Sequence, residues 1–511
     1  MTRWRPPAAV LLLLPVTLAA FLGAWGLGFG LPFDFRPDEE VFVGRAVEMA
    51  VNHSLDPLFY AYPPLGLWTF AGAEWLLGLF APGHLGAADR VDPTLEYMAA
   101  RIVSVVAFAG ATALVGLAGR AAYGVIAGLL AAVMFAVAPL AVQNAHFARV
   151  DLIALAFVAL ALWLGGRASD SRGWALAGAA AGLAAGTKYT AGAVIVYLVL
   201  LLLQQPGQDR RRALAVTAGS ALVAFLLLLA PVGHPLALIS GIRFLGGRAI
   251  SGYGDLPIGF LYHPTVSLPA GLGPGGYLLG LIGLGVALLR RRPVDLALAG
   301  SLLASYLLIG FSHEVFFRYV LPMLPALCLL GGGIFRGGVG RRPQAVGFAL
   351  AGLVLVPSLL ASASSDRLLD QTDTRVLAAR WLDANVPAGS ELQVSSYWSE
   401  PVYDSSEIAA EPLHNIYLTG IPLADSFQLG RYSDRYAINR PGIPCYRYTA
   451  SGPPWQGPTP AAGGRVLATF MPYPVGSAMT GVYDPLDAFF LPLSDFGALE
   501  HPGPSIVISA C

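Results

Sequence analysis

Three acids stand together in "FRPDEEVFVGRA", residues 35–46: Asp38, Glu39 and Glu40. They follow the first long apolar run of the chain, a position where ionisable groups are costly and tend to serve a function. Three other stretches set ionisable side chains at the edge of an apolar run. "QNAHFARVDL" carries His146, Arg149 and Asp151. "GTKYTAG" carries Lys188 and Tyr189. "FSHEVFFRYVLP" carries His313, Glu314, Arg318 and Tyr319. A carboxylate can take the proton of a hydroxyl as general base, and Arg and Lys can hold a phosphate. Such a set suits transfer of a group from a lipid-linked phosphate: a base for the acceptor, and cations where charge develops on the departing phosphate. No Walker-type loop is present, which fits a donor that already carries the energy.

Each piece has an ordinary explanation when taken alone. The acids can be a solvated loop, Arg149 and Asp151 an interfacial pair, and His313 and Glu314 plain loop residues. Lys188 can snorkel to the headgroups, and Arg318 can meet a lipid phosphate. The argument for chemistry is their convergence on one membrane face. Lys188 is also the one lysine among 31 basic residues. Where Arg serves everywhere else, a compact ammonium with rotatable donors points to a specific need. Glu40 reads as a solvated bystander.

The elements that must position these groups are membrane helices. The 511 residues are 56% hydrophobic and 12% charged, with mean hydropathy +0.63. Soluble domains carry about 25% charged residues. Apolar runs near the length of a bilayer span recur from residue 8 to about 363. The first is read as a span rather than a cleaved leader, because "LPFDF" leads straight into the acids. Zero net charge offers no case for a nucleic-acid partner. Three cysteines make no metal or redox framework. Cys328 reads as core, and Cys445 and Cys511 could pair if the tail is extracytoplasmic.

Arg-rich loops should lie inside. "MTRWR", "QDRRRA" (208–213), "RRRP" (290–293) and "FRGGVGRR" (335–342) therefore mark the cytoplasm. Both flanks of 63–82, at 31–62 and 83–97, are acidic and read as external. Segment 63–82 is therefore expected not to cross, but to lie as a juxtamembrane or re-entrant helix started by "YPPLG". Segment 174–204 must then be two spans that break near Gly186–Lys188. The expectation is an all-α polytopic membrane bundle of about eleven transmembrane helices plus juxtamembrane helices, over residues 1–363. A small extracytoplasmic α/β domain follows at 364–511. In it, "DTRVLAARWLDANVP" has helical spacing, and "SELQVSSY" and "PSIVISA" read as strands.

Several stretches, taken in order over residues 8–335, resemble the GT-C membrane glycosyltransferases. They are "RPDEEVFVGRAVEMA", "YPPLGLWTF", "RIVSVVAFAGATALVGLAGRAAYG", "APLAVQNAHFARVDLIALAF", "AGLAAGTKYTAGAV" and "FRYVLPMLPAL". The branch is that of the protein O-mannosyltransferases and the bacterial aminoarabinose transferases (glycosyltransferase family 39-like). The resemblance implies a GT-C fold with juxtamembrane helices in the first external loop, 31–96. It implies Asp38 as catalytic base, Glu39 as its partner, and Arg149 with Asp151 as the polar pair of the second external loop. Lys188 and Arg318 match phosphate-binding positions. His146, His313, Glu314 and Tyr319 complete the substrate-binding candidates. The chain departs from the pattern in two ways: Phe42 stands where a Tyr is often found, and 233–272 is too short for the large inserted domain of eukaryotic mannosyltransferases.

The activity implied is transfer of a sugar from a polyprenyl-phosphate donor to a hydroxyl of a lipid, glycan or protein at the outer face of the plasma membrane. No cofactor is expected. A divalent ion near Asp38 or His313 fits the chemistry without being called for. A flippase of lipid-linked sugars is the alternative; it would show inverted repeats and broken helices at the midplane. A membrane module that only displays the tail is a third reading.

Overall fold

The computed structural model describes residues 8–31, 35–36, 38–81, 93–204, 209–251, 256–336, 341–387, 391–396, 431–433, 444–451, 464–474, 477, 480–487 and 490–511. "MTRWR", most of 83–97 before Asp92 and parts of the loops at 208–213 and 335–342 lie outside the described residues. In chain order the helices begin with α1 (Ala8–Ala24), α2 (Glu39–Asn52), α3 (Leu65–Phe80), α4 (Thr94–Tyr123), α5 (Val125–Ala136) and α6 (Pro139–Ala145). Then come α7 (Val150–Gly165), α8 (Ser171–Ala185), α9 (Ile195–Leu203), α10 (Arg210–Leu229), α11 (Pro235–Ser251) and α12 (Gly259–Tyr262). Last are α13 (Leu268–Arg290), α14 (Pro293–Gly310), α15 (Leu324–Gly333), α16 (Arg341–Val354), α17 (Val356–Leu369) and α18 (Thr374–Asn385). The strands are β1 (Glu391–Ser396), β2 (Arg431–Ser433), β3 (Cys445–Ser451), β4 (Val466–Phe470) and β5 (Ser505–Ala510).

The chain forms two compact units. One takes residues 1–27, 41–88 and 95–363. The other takes 28–40, 89–94 and 364–511. The acidic segment at 38–40 thus belongs to the same unit as the C-terminal sheet, not to the helical unit that flanks it in sequence.

In the helical unit, local chemistry sets the helix starts. Pro63 and Pro64 precede α3, where their missing N–H groups cost nothing. Asp170 caps α8, accepting from the Gly173 amide at 2.8 Å, and Asp209 caps α10, accepting from Arg212 at 3.2 Å. Small residues let the helices approach. A Cβ at Gly178 or Gly182 of α8 would run into the Thr217 or Ala221 backbone of α10. A Cβ at Gly119 of α4 would meet Gly128 of α5. Between apolar helices in lipid, such close approach supplies the packing that a hydrophobic drive does not.

Among the described residues, five helical runs are long and apolar enough to cross a membrane, or six if the pair α5–α6, bent by 60°, is one span. Five shorter apolar runs of 10–17 residues, α3 among them, fall below that length. Length and composition alone therefore stop short of about eleven spans. The physical reason is visible: several apolar segments are interrupted by 3-10 turns, at Tyr189–Val194 before α9 and Phe317–Met323 before α15. Broken backbone of this kind is tolerated at membrane depth only where protein or a cavity covers it. The segment 233–272, read from sequence as too short for a large inserted domain, holds α11 and α12.

Among its described residues, the second unit holds a mixed five-stranded sheet of order β2-β1-β3-β5-β4. β1 runs parallel to β2 and β3, while β5 is antiparallel to β3 and β4. Alternation puts Tyr448 and Ala450 of β3 and Ile506 and Ile508 of β5 into one core. There they meet Ala378 and Leu382 of α18. Cys445, at the start of β3, forms a disulfide with Cys511, so the pairing left open from sequence is made.

Candidate active site

Chain breaks between apolar helices deliver the polar groups of the helical unit. α8 ends at Ala185, and Lys188 sits in extended backbone (φ −147°, ψ 122°) before the next 3-10 turn. Arg149 is likewise extended just before α7, which puts Asp151 in that helix's first turn. A carboxylate there is favoured by the helix dipole. α3 locks the corner: the Leu65 amide donates to Gly186 O at 3.1 Å, and Gly66 packs so closely on Val150 that a Cβ would collide.

These breaks bring Lys188 Nζ to 2.5 Å from Asp151 Oδ1, with both side chains buried. The charges of Arg149 and Arg318 also act on the Asp151 carboxylate. One acid therefore sits among three buried cations. Arg318 is further held by the face of Phe316, 3.8 Å from guanidinium carbon to ring centroid.

The cluster continues through Tyr319. Lys188 Nζ lies 5.6 Å from the centre of the Tyr319 ring, and the Tyr319 hydroxyl donates to Glu314 Oε2 at 2.5 Å. Glu314 is buried and pairs through Oε1 with Arg248 of α11 at 2.7 Å. Two hydrogen bonds fix the loop that bears Glu314 onto that helix: the His313 amide and the Ser312 hydroxyl both donate to Ala249 O, at 2.9 and 3.3 Å. Tyr62, which stacks on Phe59 and meets Phe42 of α2 edge-on, acts electrostatically on Tyr319.

Of the residues expected from sequence, Arg149, Asp151, Lys188, Glu314, Arg318 and Tyr319 come together. His146 takes a different place. Its ring nitrogens lie 2.9 and 2.8 Å from the Val142 and Trp25 carbonyls, which ties α6 to the end of α1. His313 is exposed. Arg248 and Tyr62 were not singled out from sequence. The signal for Arg248 was weak: an Arg in an apolar stretch, "PLALISGIRFLGGRAIS", too short to read as a span.

Asp38 and Glu39 are carried by the other unit. Asp38 is exposed and has a left-handed backbone, φ 71°. Asp is among the few residues that tolerate this. Glu39 is fully buried and opens α2, its amide donating to Arg36 O at 3.1 Å. Glu40 is half-buried rather than fully solvated. Among the described residues, no group of three or more His, Cys, Asp or Glu side chains is set to hold a metal ion.

Known proteins agree with this architecture. Residues 96–234 match the dolichyl-phosphate-mannose-protein mannosyltransferase family. The chain is similar in structure to ArnT from Cupriavidus metallidurans bound to undecaprenyl phosphate. The TM-score is 0.53 at 16% identity, over 86% of this chain and 92% of that one. ArnT from the same organism in the apo state gives 0.51 at 16% identity, over 85% and 92%. The archaeal oligosaccharyltransferase AglB from Archaeoglobus fulgidus, in complex with an inhibitory peptide and a dolichol-phosphate, gives 0.50 at 13% identity, over 76% and 62%. At these identities the likeness establishes the fold. No curated protein sequence matches the chain significantly.

The family match over residues 96–234 and the shared fold make the chain similar to the GT-C membrane glycosyltransferases of the PMT/ArnT-like group.

Proposed function

We propose that this protein moves a sugar from a polyprenyl-phosphate donor to an acceptor hydroxyl on a lipid, glycan or protein, at the outer face of the plasma membrane. The single observation that most supports it is the burial of Lys188, Arg149 and Arg318 around one acid at the broken ends of apolar helices. Cations kept out of water there have the chemistry to hold a phosphate on a lipid.

Asp38 serves as general base and takes the acceptor's proton. The acceptor oxygen then forms its bond to the sugar's anomeric carbon as the bond from that carbon to the phosphate oxygen breaks, with inversion. The departing polyprenyl phosphate gains negative charge, which Lys188, Arg149 and Arg318 stabilise. Asp151 holds the Lys188 ammonium in place, and Glu314 does the same for the Tyr319 hydroxyl. Glu39 orients the segment that bears the base. The C-terminal unit lies outside the cytoplasm, a reading supported by its disulfide. His146 acts through the frame rather than on the donor.

The test uses purified protein in detergent with radiolabelled polyprenyl-phosphate mannose, glucose and arabinose and a membrane extract as acceptor. Label should move to acceptor with wild type and fall about a hundredfold with Asp38→Asn, the scale for loss of a general base. Equal transfer by both proteins removes Asp38 from the mechanism.

A further inference from the structure

The acids at 38–40 belong to the same compact unit as the C-terminal sheet, and the contacts that hold them there are strong ones. Arg36 Nη2 lies 2.7 Å from Asp487 Oδ2, with side-chain exposures of 3% and 4%. Arg375 lays its guanidinium on the Phe35 ring at 3.9 Å. Arg375 is itself held by two bonds to Asp373, at 2.9 and 2.8 Å, and Asp373 caps α18 by accepting from the Arg375 amide. Phe35 also packs on Phe29 at 6.1 Å. The segment just before Asp38 is therefore gripped twice, from α18 and from the loop at 487.

We infer that the C-terminal unit is a positioning element for the base, acting through the buried Arg36–Asp487 pair. A buried ion pair is weak as a source of net stability, but its best-attested use is to fix one arrangement among several. Here the arrangement is that of Asp38, whose left-handed backbone is one of several such a loop could adopt and is held by its surroundings. Arg36 supplies both halves of that hold. Its side chain is anchored on Asp487, and its carbonyl accepts the amide of Glu39, one residue past Asp38. An acid set by two fixed neighbours is presented in one direction. An acid on a loose loop is not, and misplacement by about 1 Å can cost a hundredfold in rate. The inference rests on the reading of Asp38 as base.

The experiment has two readouts on full-length protein in detergent. The variants are Asp487→Asn and the double change Arg36→Met with Asp487→Leu, which removes the pair without leaving a buried charge alone. Hydrogen exchange over residues 35–45 reports the segment without needing any substrate. Faster exchange at Glu39 and its neighbours is expected in both variants, with α13 and α15 unchanged. In the transfer assay, kcat should fall about ten- to a hundredfold while the donor KM moves less than about threefold, because none of the phosphate-binding residues is changed. Unchanged exchange, or unchanged kcat in the double variant, overturns the inference. Asp38→Asn is run beside them. If it transfers normally, the base reading fails. If it is inactive while the double variant is fully active, only the positioning role fails.

Discussion

Lys188 Nζ lies 2.5 Å from Asp151 Oδ1, and both side chains are buried, at 7% and 5% exposure. The two residues are 37 apart in sequence. They meet because α7 and α8 fold back on each other and the chain unwinds just past Gly186. The pair is the hub to which Arg149, Arg318 and Tyr319 connect.

Breaking this pair from one side should destabilise the protein by about 3–5 kcal/mol, because the other charge is left buried. Asp151→Ala is thus expected to unfold at clearly lower denaturant or temperature. The double variant Asp151→Leu, Lys188→Met should regain most of that stability, since apolar residues of similar size can replace a buried pair. It should not regain transfer. Recovery of both properties in the double variant would make the pair purely structural.

Asp38→Asn should fold as well as wild type, because Asn also tolerates a left-handed backbone. Asp38→Ala should lose about 1 kcal/mol, since Ala at positive φ is strained. Both should lose transfer. A thermal melt of each, beside its turnover, separates the backbone requirement from the carboxylate requirement.

Glu74 on α3, which we read as juxtamembrane, sets a pH dependence. Burial pushes its carboxyl up from 4.5 to about 9, with the Glu96 carboxylate adding to the effect. Between those values the folded protein holds a proton that the unfolded chain releases, so this group makes stability fall as pH rises from about 4.5 to 9. Glu74→Gln removes the dependence. Its melting temperature should match the parent near pH 4.5 and exceed it increasingly toward pH 8.5. A constant difference across that range would contradict the assignment.

The disulfide between Cys445 and Cys511 spans 66 residues. Closing a loop of that length is worth about 4 kcal/mol in the chain-entropy account. Cys511→Ser should make the C-terminal unit markedly more sensitive to protease while leaving the helical unit's cleavage pattern unchanged. Protease resistance equal to wild type would mean that β3 and β5 hold the unit without the bond.

Much of the frame was legible because its causes are local. Pro63 and Pro64 announce α3, Asp373 announces α18, and alternating Ile506 and Ile508 mark a buried strand. Ionisable residues beside apolar runs stood out one by one, so most of the cluster was named. α11 was passed over because 17 residues with two arginines read neither as a span nor as a standard loop, and Arg248 was lost with it. The contacts of His146 were not legible, because a histidine near Arg149 looks the same in sequence whether it faces a substrate or, as here, two carbonyls.

The sequence by itself determined the membrane character, several helix starts, and the supply of acids and cations at chain breaks. Each follows from hydropathy, capping and proline chemistry within a few residues. Which acid meets which cation was decided only by the tertiary structure. Asp151 meets Lys188 and Glu314 meets Arg248 because helices and chain breaks distant in sequence come side by side. Arg36 finds Asp487 because the chain from Gly28 to Glu40 joins the C-terminal unit. Burial then makes the acids of those pairs costly to leave unpartnered, which no local pattern encodes.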